Sequence, residues 1–171
     1  MFITNICANA RVDRNFNLQN LLNEQTPLFI SKKYNPRSFS GLIAKDGNVT
    51  FLIFYNGKIV ITGGRNEQEM KNSVNELANY FNTKIIYFKF TNYCASIRIN
   101  QKIKLESIAI KYPRISSYEI ELFPALKMSY LKNKFTIHRN GVIFATGFKS
   151  KNEAKSKFRK IINLCKILSD I

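Results

Sequence analysis

Two stretches of the chain alternate apolar and polar side chains with a period of two and then switch to a period near 3.6. The first is "NVTFLIFYNGKIVITGG", running from Asn48 to Gly64. Two β-type runs flank Asn56-Gly57, a hairpin signal because glycine supplies the positive φ such turns require. A two-residue loop would set Leu52 opposite Ile61. A three-residue loop, Tyr55 to Gly57 with a bulge at the glycine, sets Leu52 opposite Val60 and Phe54 opposite Lys58, and is preferred. One face then carries Phe51, Ile53, Ile59 and Ile61, all large and apolar, as a covering helix requires. The other face carries Thr50, Leu52, Phe54, Lys58, Val60 and Thr62, a mixture suited to an amphipathic ligand. Past Gly64, "NEQEMKNSVNELANYF" places Met70, Val74, Leu77 and Phe81 on one helical stripe.

The same design returns later. Phe135, Ile137, Ile143 and Ala145 point inward, and Thr136, His138, Val142, Phe144 and Thr146 point outward. A final helix, "SKNEAKSKFRKIINLCKILSDI", aligns Ala154, Phe158, Ile161, Cys165 and Leu168. Shorter helices are expected near "LQNLLNEQ" and "LESIAIKY".

Three word pairs make the repetition explicit. "TNICANARV" from Thr4 answers "TNYCASIRI" from Thr91, "YNPRSF" answers "YEIELF", and "IFYNGKIVITG" answers "IHRNGVIFATG". The last two pairs are offset by 84 residues and the first by 87, a three-residue loop difference. Words kept in one order at nearly one spacing mean a supersecondary unit used twice. No Pro-rich or Gly/Ser-rich linker separates the halves. The expected architecture is α+β: repeats 1–86 and 87–171 forming one intertwined domain, a pseudo-twofold arrangement with a single curved antiparallel sheet, helices on one side and the other side open.

Charge changes the picture by suggesting what the open side meets. There are 27 Lys+Arg against 11 Asp+Glu, a formal +16. Residues 1–86 hold ten cations and six anions, residues 87–171 hold 17 and five. Such a field favours polyanions, the plainer alternative being a solvated basic surface. Cys7, Cys94 and Cys165 form no CxxC pair and leave one over, which argues against a disulfide framework and a zinc site and for a reducing compartment. The N-terminus lacks a basic segment ahead of an apolar stretch, and no apolar run reaches about 18 residues, so neither secretion nor a membrane partner is expected. One histidine, no HExxH, no GxxxxGK[ST] and no GxSxG leave catalysis without support, and no cofactor is expected.

The words "YNPRSF", "LIFYNGKIVITGG", "SSYEIELFPAL" and "NGVIFATG", with a "TN" word opening each half, together resemble the core domain of the TATA-box-binding protein family from about Ile3 to Leu168. That resemblance implies a saddle whose concave sheet lies in the minor groove of double-stranded A/T-rich DNA and whose convex helices recruit proteins. It places the apolar wedges that kink the duplex at Phe39 and Phe54 in the first half and at Phe123 and His138 in the second. Asn5 and Asn92 match the paired asparagines that reach base-edge acceptors, where an amide donor suits the A·T pattern. Thr50, Leu52, Val60 and Thr62, then Pro124, Thr136, Phe144 and Thr146, match groove-lining positions, with Cys7 and Cys94 replacing the usual valines beside the asparagines. Lys58, Arg37 and Lys45 are candidates for phosphates.

The resemblance also implies a role in transcription initiation. Glu119, Glu121 and Leu122 match residues that dock the B-type general transcription factor, and an A-type factor is a further candidate partner. Three features depart from the family pattern. His138 stands where an apolar aromatic is usual, with Thr136 and Phe144 beside it also changed, which bears on the second kink. The helix after the first hairpin, basic in eukaryotic members, here has three Glu and one Lys. The last helix is unusually basic through Lys151, Lys155, Lys157, Arg159, Lys160 and Lys166. The alternative reading is a divergent adaptor of the same fold that binds protein or nucleic acid without TATA specificity. The Lys/Asn/Ile-rich composition and short N-terminus fit a protist, with a nuclear location, or a large DNA virus, with a cytoplasmic factory.

Overall fold

A computed structural model describes residues 1–169, with side chains through Lys166, so Leu168 of the expected last stripe lies outside the described side chains. The packed chain clusters into two compact units, Asn5–Thr91 and Met1–Thr4 with Asn92–Ile171. β1 (Phe2–Val12) and β6 (Ile85–Arg98), 11 and 14 residues long, each contribute residues to both units.

The unit Asn5–Thr91 continues from β1 through α1 (Leu18–Asn23), β2 (Ser31–Asn35), β3 (Phe39–Asp46), β4 (Val49–Ile53), β5 (Lys58–Gly64) and α2 (Glu67–Tyr80) into β6. Its strands lie in the order β2-β3-β4-β5-β1-β6. The hairpin takes the three-residue loop: Leu52 pairs with Val60 and Thr50 with Thr62, while the Phe54 amide donates to the Lys58 carbonyl at 2.9 Å. Gly57 has φ +79°, as the turn requires. Phe51, Ile53, Ile59 and Ile61 are buried to within 1 % of complete, and Met70, Val74 and Leu77 of the covering helix are buried with them, as is Phe81 just past its end. Asn66 caps α2, its side chain accepting from the Gln68 amide at 2.9 Å. The helix approaches β5 closely enough that a Cβ on Gly64 would stand 2.4 Å from Met70 Cγ.

The other unit repeats the plan with α3 (Leu105–Lys111), β7 (Ser116–Ser117), β8 (Ala125–Tyr130), β9 (Asn133–His138), β10 (Val142–Phe148) and α4 (Lys151–Ser169). Here the order is β6-β10-β9-β8-β7. The second hairpin copies the first, Ile143 opposite Ile137 and Phe144 opposite Thr136. Phe135, Phe148 and Phe158 form a buried aromatic cluster with centroids 5.6–6.3 Å apart, which seats α4 on the inward face. Both short helices expected from the sequence are present as α1 and α3.

One cation of α4 does not belong to its outer surface. Lys157 Nζ donates to the Leu131 carbonyl at 2.8 Å and to Asn133 Oδ1 and Glu153 Oε1. Asn133, only 2 % exposed, donates in turn to the Thr146 carbonyl at 3.0 Å. The β8–β9 turn, with Leu131 and Lys132 at positive φ, leaves a carbonyl for this lysine to satisfy. Lys157 thus ties α4 to that turn, which corrects its place in the basic row read from sequence.

Candidate nucleic-acid interface

Covering one sheet face in each unit leaves the other uncovered, and strand periodicity decides what it displays. In the unit Asn5–Thr91, β1 buries Ile6, Ala8, Ala10 and Val12 and turns Asn5, Cys7, Asn9 and Arg11 the other way. Asn9 pairs with Val60 and Arg11 with Lys58. Ile43 pairs with Leu52 and Lys45 with Thr50. The expected residues Thr50, Leu52, Phe54, Val60 and Thr62 therefore share this face, half-buried, with Lys58 exposed at its end.

Asn5 is held by a bulge. The β1–β5 register shifts between Ile6 and Ala8, and there the Gly63 amide donates to Asn5 Oδ1 at 2.8 Å, while Asn5 Nδ2 donates to Thr62 Oγ1 at 3.3 Å. Gly63 adopts φ +95°, and a Cβ there would lie 2.0 Å from the Asn48 carbonyl oxygen. The carbonyl end of the amide is committed to the backbone, so the NH₂ end is the part with a donor to spare. The other unit has the corresponding bulge, between Ala145 and Phe148 on β10, with Gly147 at φ +92°. Asn92 Nδ2 leans on Cys94 Sγ at 3.6 Å. Cys94 is 8 % exposed and Cys7 is half-buried.

The aromatic side chains form matched pairs. Phe39 and Phe54 meet edge to face with centroids 5.8 Å apart, and Phe123 and His138 meet at 6.5 Å. Phe39 and Phe123 are 36 % and 38 % exposed, large apolar rings at the rim of a face rather than core. Gly41 makes room for the first pair, since a Cβ there would stand 2.8 Å from the Phe39 ring. Each pair has a lysine: Lys58 Nζ lies 6.0 Å from the Phe54 centroid and Lys127 Nζ 4.9 Å from that of Phe123. Thr136, Phe144 and Thr146 are half-buried on the uncovered side of their hairpin, and Pro124 is exposed beside Phe123. Arg37 is exposed in the turn after β2, its amide donating to Asn35 Oδ1 at 3.2 Å.

Several residues of these faces escape a reading of the hairpins alone: Asn9, Arg11, Ile43, Ser96, Arg98, Lys127 and Lys134. Ser96 pairs with Phe144, Arg98 with Val142, and Lys127 with Thr136. The signal was available, because counting by twos from Cys7 gives Asn9 and Arg11, and from Cys94 gives Ser96 and Arg98. Among the described strands, the uncovered face of the unit Asn5–Thr91 carries Arg11, Lys33, Lys45 and Lys58, that of the other unit carries Arg98, Lys127 and Lys134, and neither carries a carboxylate.

The acidic segment before Phe123 points outward. The Glu119 carbonyl accepts from the Leu122 and Phe123 amides at 3.0 and 2.9 Å, a turn that leaves Glu119 and Glu121 exposed and Leu122 80 % exposed. Arg139 steadies the start of this segment by donating to the Tyr118 hydroxyl at 3.2 Å and pairing with Glu106. The Glu106 carboxyl is held below its ordinary range by a backbone amide and by Arg139, and the guanidinium is pushed up by Glu106 and then by the Tyr118 hydroxyl.

Fold and faces together define a class: duplicated α+β proteins in which each repeat covers one sheet face with helices and leaves the other uncovered. Within it, the chain belongs to the TATA-box-binding protein family. It matches the family described as "Transcription factor TFIID (or TATA-binding protein, TBP)" over residues 1–83 and 87–168. It is 36% identical over 138 residues to a TATA-box-binding protein of Candida albicans, an alignment covering 75% of this chain and 58% of that protein. It is 29% identical over 171 residues to TATA-box-binding protein-like 1 of Entamoeba histolytica, covering 95% and 77%. Its fold is similar to that of the Methanococcus jannaschii TBP, with TM-score 0.83, 24% identity, and 96% and 97% of the two chains covered. The chain spans between half and three fifths of the length of the Candida albicans and Emericella nidulans relatives.

Proposed function

We propose that the chain is a general transcription initiation factor that seats its uncovered faces in the minor groove of A/T-rich promoter DNA and bends it. One observation carries the reading: each repeat sets a rim phenylalanine against a second ring on a face that is cationic and free of carboxylates in the described strands. Prying base steps apart with such side chains is a mechanism known from this very family, and it comes to the chain with its membership. The residues supply what that chemistry needs. Phe39, Phe54 and Phe123 are the wedges, and His138 stacks as the fourth. The NH₂ groups of Asn5 and Asn92 donate to the acceptors on the groove floor, and the threonines and aliphatic groups fill a floor that lacks the guanine amino group. Arg11, Lys58, Arg98 and Lys127 stand where phosphates pass. Glu119, Glu121 and Leu122 receive the B-type general transcription factor, and the relatives' eukaryotic sources favour a nuclear location.

Bending a site of this size costs roughly 1–6 kcal/mol, so flexible TA steps are the preferred substrate. The test is end-to-end distance by energy transfer, with affinity, on TATA-type and G·C-substituted duplexes over a salt series. The expected result is a shortened TATA duplex, weaker G·C binding, and affinity that falls steeply with salt. Equal affinity for both with no change in distance rejects sequence-selective bending, and favours the adaptor reading to which the polar His138 lends support.

A further inference from the structure

Helix α4 covers the inward face of its hairpin through Ala154, Phe158, Ile161 and Cys165, so its outer side faces away from the uncovered sheet face of the same unit. DNA seated on that sheet face does not reach it. Yet α4 is the most cationic element of the chain, and its cations are ordered: Lys151, Lys155, Arg159 and Lys166 fall within about 80° of arc at 100° per residue, one flank of the helix over four turns. The only carboxylate between Lys151 and Ser169 is Glu153, which is committed to Lys157 on the opposite flank. Among the described residues neither Lys155 nor Arg159 has an ion pair.

Beside this stripe the same unit has a groove of about 140 Å³ between α4, β6 and the first residue of the chain, lined by Met1, Ile97, Lys155, Phe158, Arg159 and Ile162. Four of the six are apolar and the other two are the cations, so the floor is greasy and the rim positive. A nucleic-acid backbone matches the rim but leaves the floor unused; an acidic chain segment with large apolar side chains matches both.

We propose that the α4 groove docks an acidic amphipathic peptide segment of a partner protein, an apolar side chain entering between Met1, Ile97 and Ile162 and carboxylates meeting Lys155 and Arg159. This site is separate from the DNA face and does not depend on that reading. Charge sets the partner's sign and approach rate, and the apolar anchor sets how long it stays.

The experiment uses the full chain and a fluorescein-labelled 15-residue peptide alternating glutamate with leucine and phenylalanine, read by anisotropy. The double variant Lys155→Glu/Arg159→Glu should weaken binding by about tenfold or more. Replacing the peptide's leucine and phenylalanine by serine should weaken it by a similar factor. Thermal melting and binding of a TATA duplex should be unchanged in the variant, and Lys155→Ala/Arg159→Ala should show the same direction of effect. Equal peptide affinity for wild type and variant overturns the proposal. So does equal binding of the serine peptide, which reduces the effect to general electrostatics. Loss of duplex affinity in the variant assigns the stripe to nucleic acid instead, and wild-type self-association abolished by the variant assigns it to a second copy.

Discussion

At the scale of single residues, position in the fold separates side chains open to solvent from those that hold the frame. Phe39 and Phe123 are more than one third exposed, so truncation removes little core packing. Phe39→Ala or Phe123→Ala should therefore leave the denaturation midpoint nearly unchanged while weakening TATA-duplex binding more than His138→Ala does, as measured by titration on the same duplex. The reverse order would show that the wedge assignment is wrong. Asn133 is the opposite kind of residue. Buried and bonded to the Thr146 carbonyl and to Lys157, it should cost about 1–3 kcal/mol when changed to alanine, read from urea unfolding, because it leaves a carbonyl and an ammonium short of a partner. Glu153 adds a pH signature. Lys157, then the Lys149 amide, hold its carboxyl below the ordinary value of 4.5. A depressed carboxylate stabilises the fold above its unfolded value and loses that contribution as pH falls through its folded value, so stability should decline below about pH 4.5, and less steeply in Glu153→Gln.

At the scale of elements, the hairpin is the unit the sequence describes best. The alternation of Thr50 to Ile53 with Ile59 to Thr62, and one glycine at the turn, allowed two loop lengths, and the one that aligned the apolar faces is the one that formed. The bulge at Gly63 is a stricter demand. Gly63→Ala drives a methyl into the Asn48 carbonyl, whereas Gly47, also at positive φ, has open space around it. Gly47→Ala should cost about 1 kcal/mol from backbone strain, and Gly63→Ala at least about 2 kcal/mol more, compared by chemical denaturation. Since the Gly63 amide also anchors Asn5, the second substitution should disturb DNA binding too, and the first should not. The helices were legible for the same reason as the hairpins, a stripe of apolar residues at helical spacing. The destination of Lys157 was not, because a lysine on a polar flank has the same pattern whether it meets water or a turn 26 residues away.

At the scale of the whole chain, legibility tracked the range of the interaction. Repeated words and their common spacing disclosed two copies of one α+β unit, and the residues of each uncovered face followed from counting by twos. Pairings between strands far apart in sequence carry no such local mark. The neighbour of β5 is β1, so Arg11 lies beside Lys58 across 47 positions, and nothing in either word says so. The groove between Met1 and α4 escaped for the same reason, since its two sides come from opposite ends of the chain.

Because Met1 lines the groove beside Lys155 and Arg159, anything fused ahead of it emerges next to α4. A purification tag left there would sit at the mouth of that groove, and should be cleaved before any binding to α4 is measured.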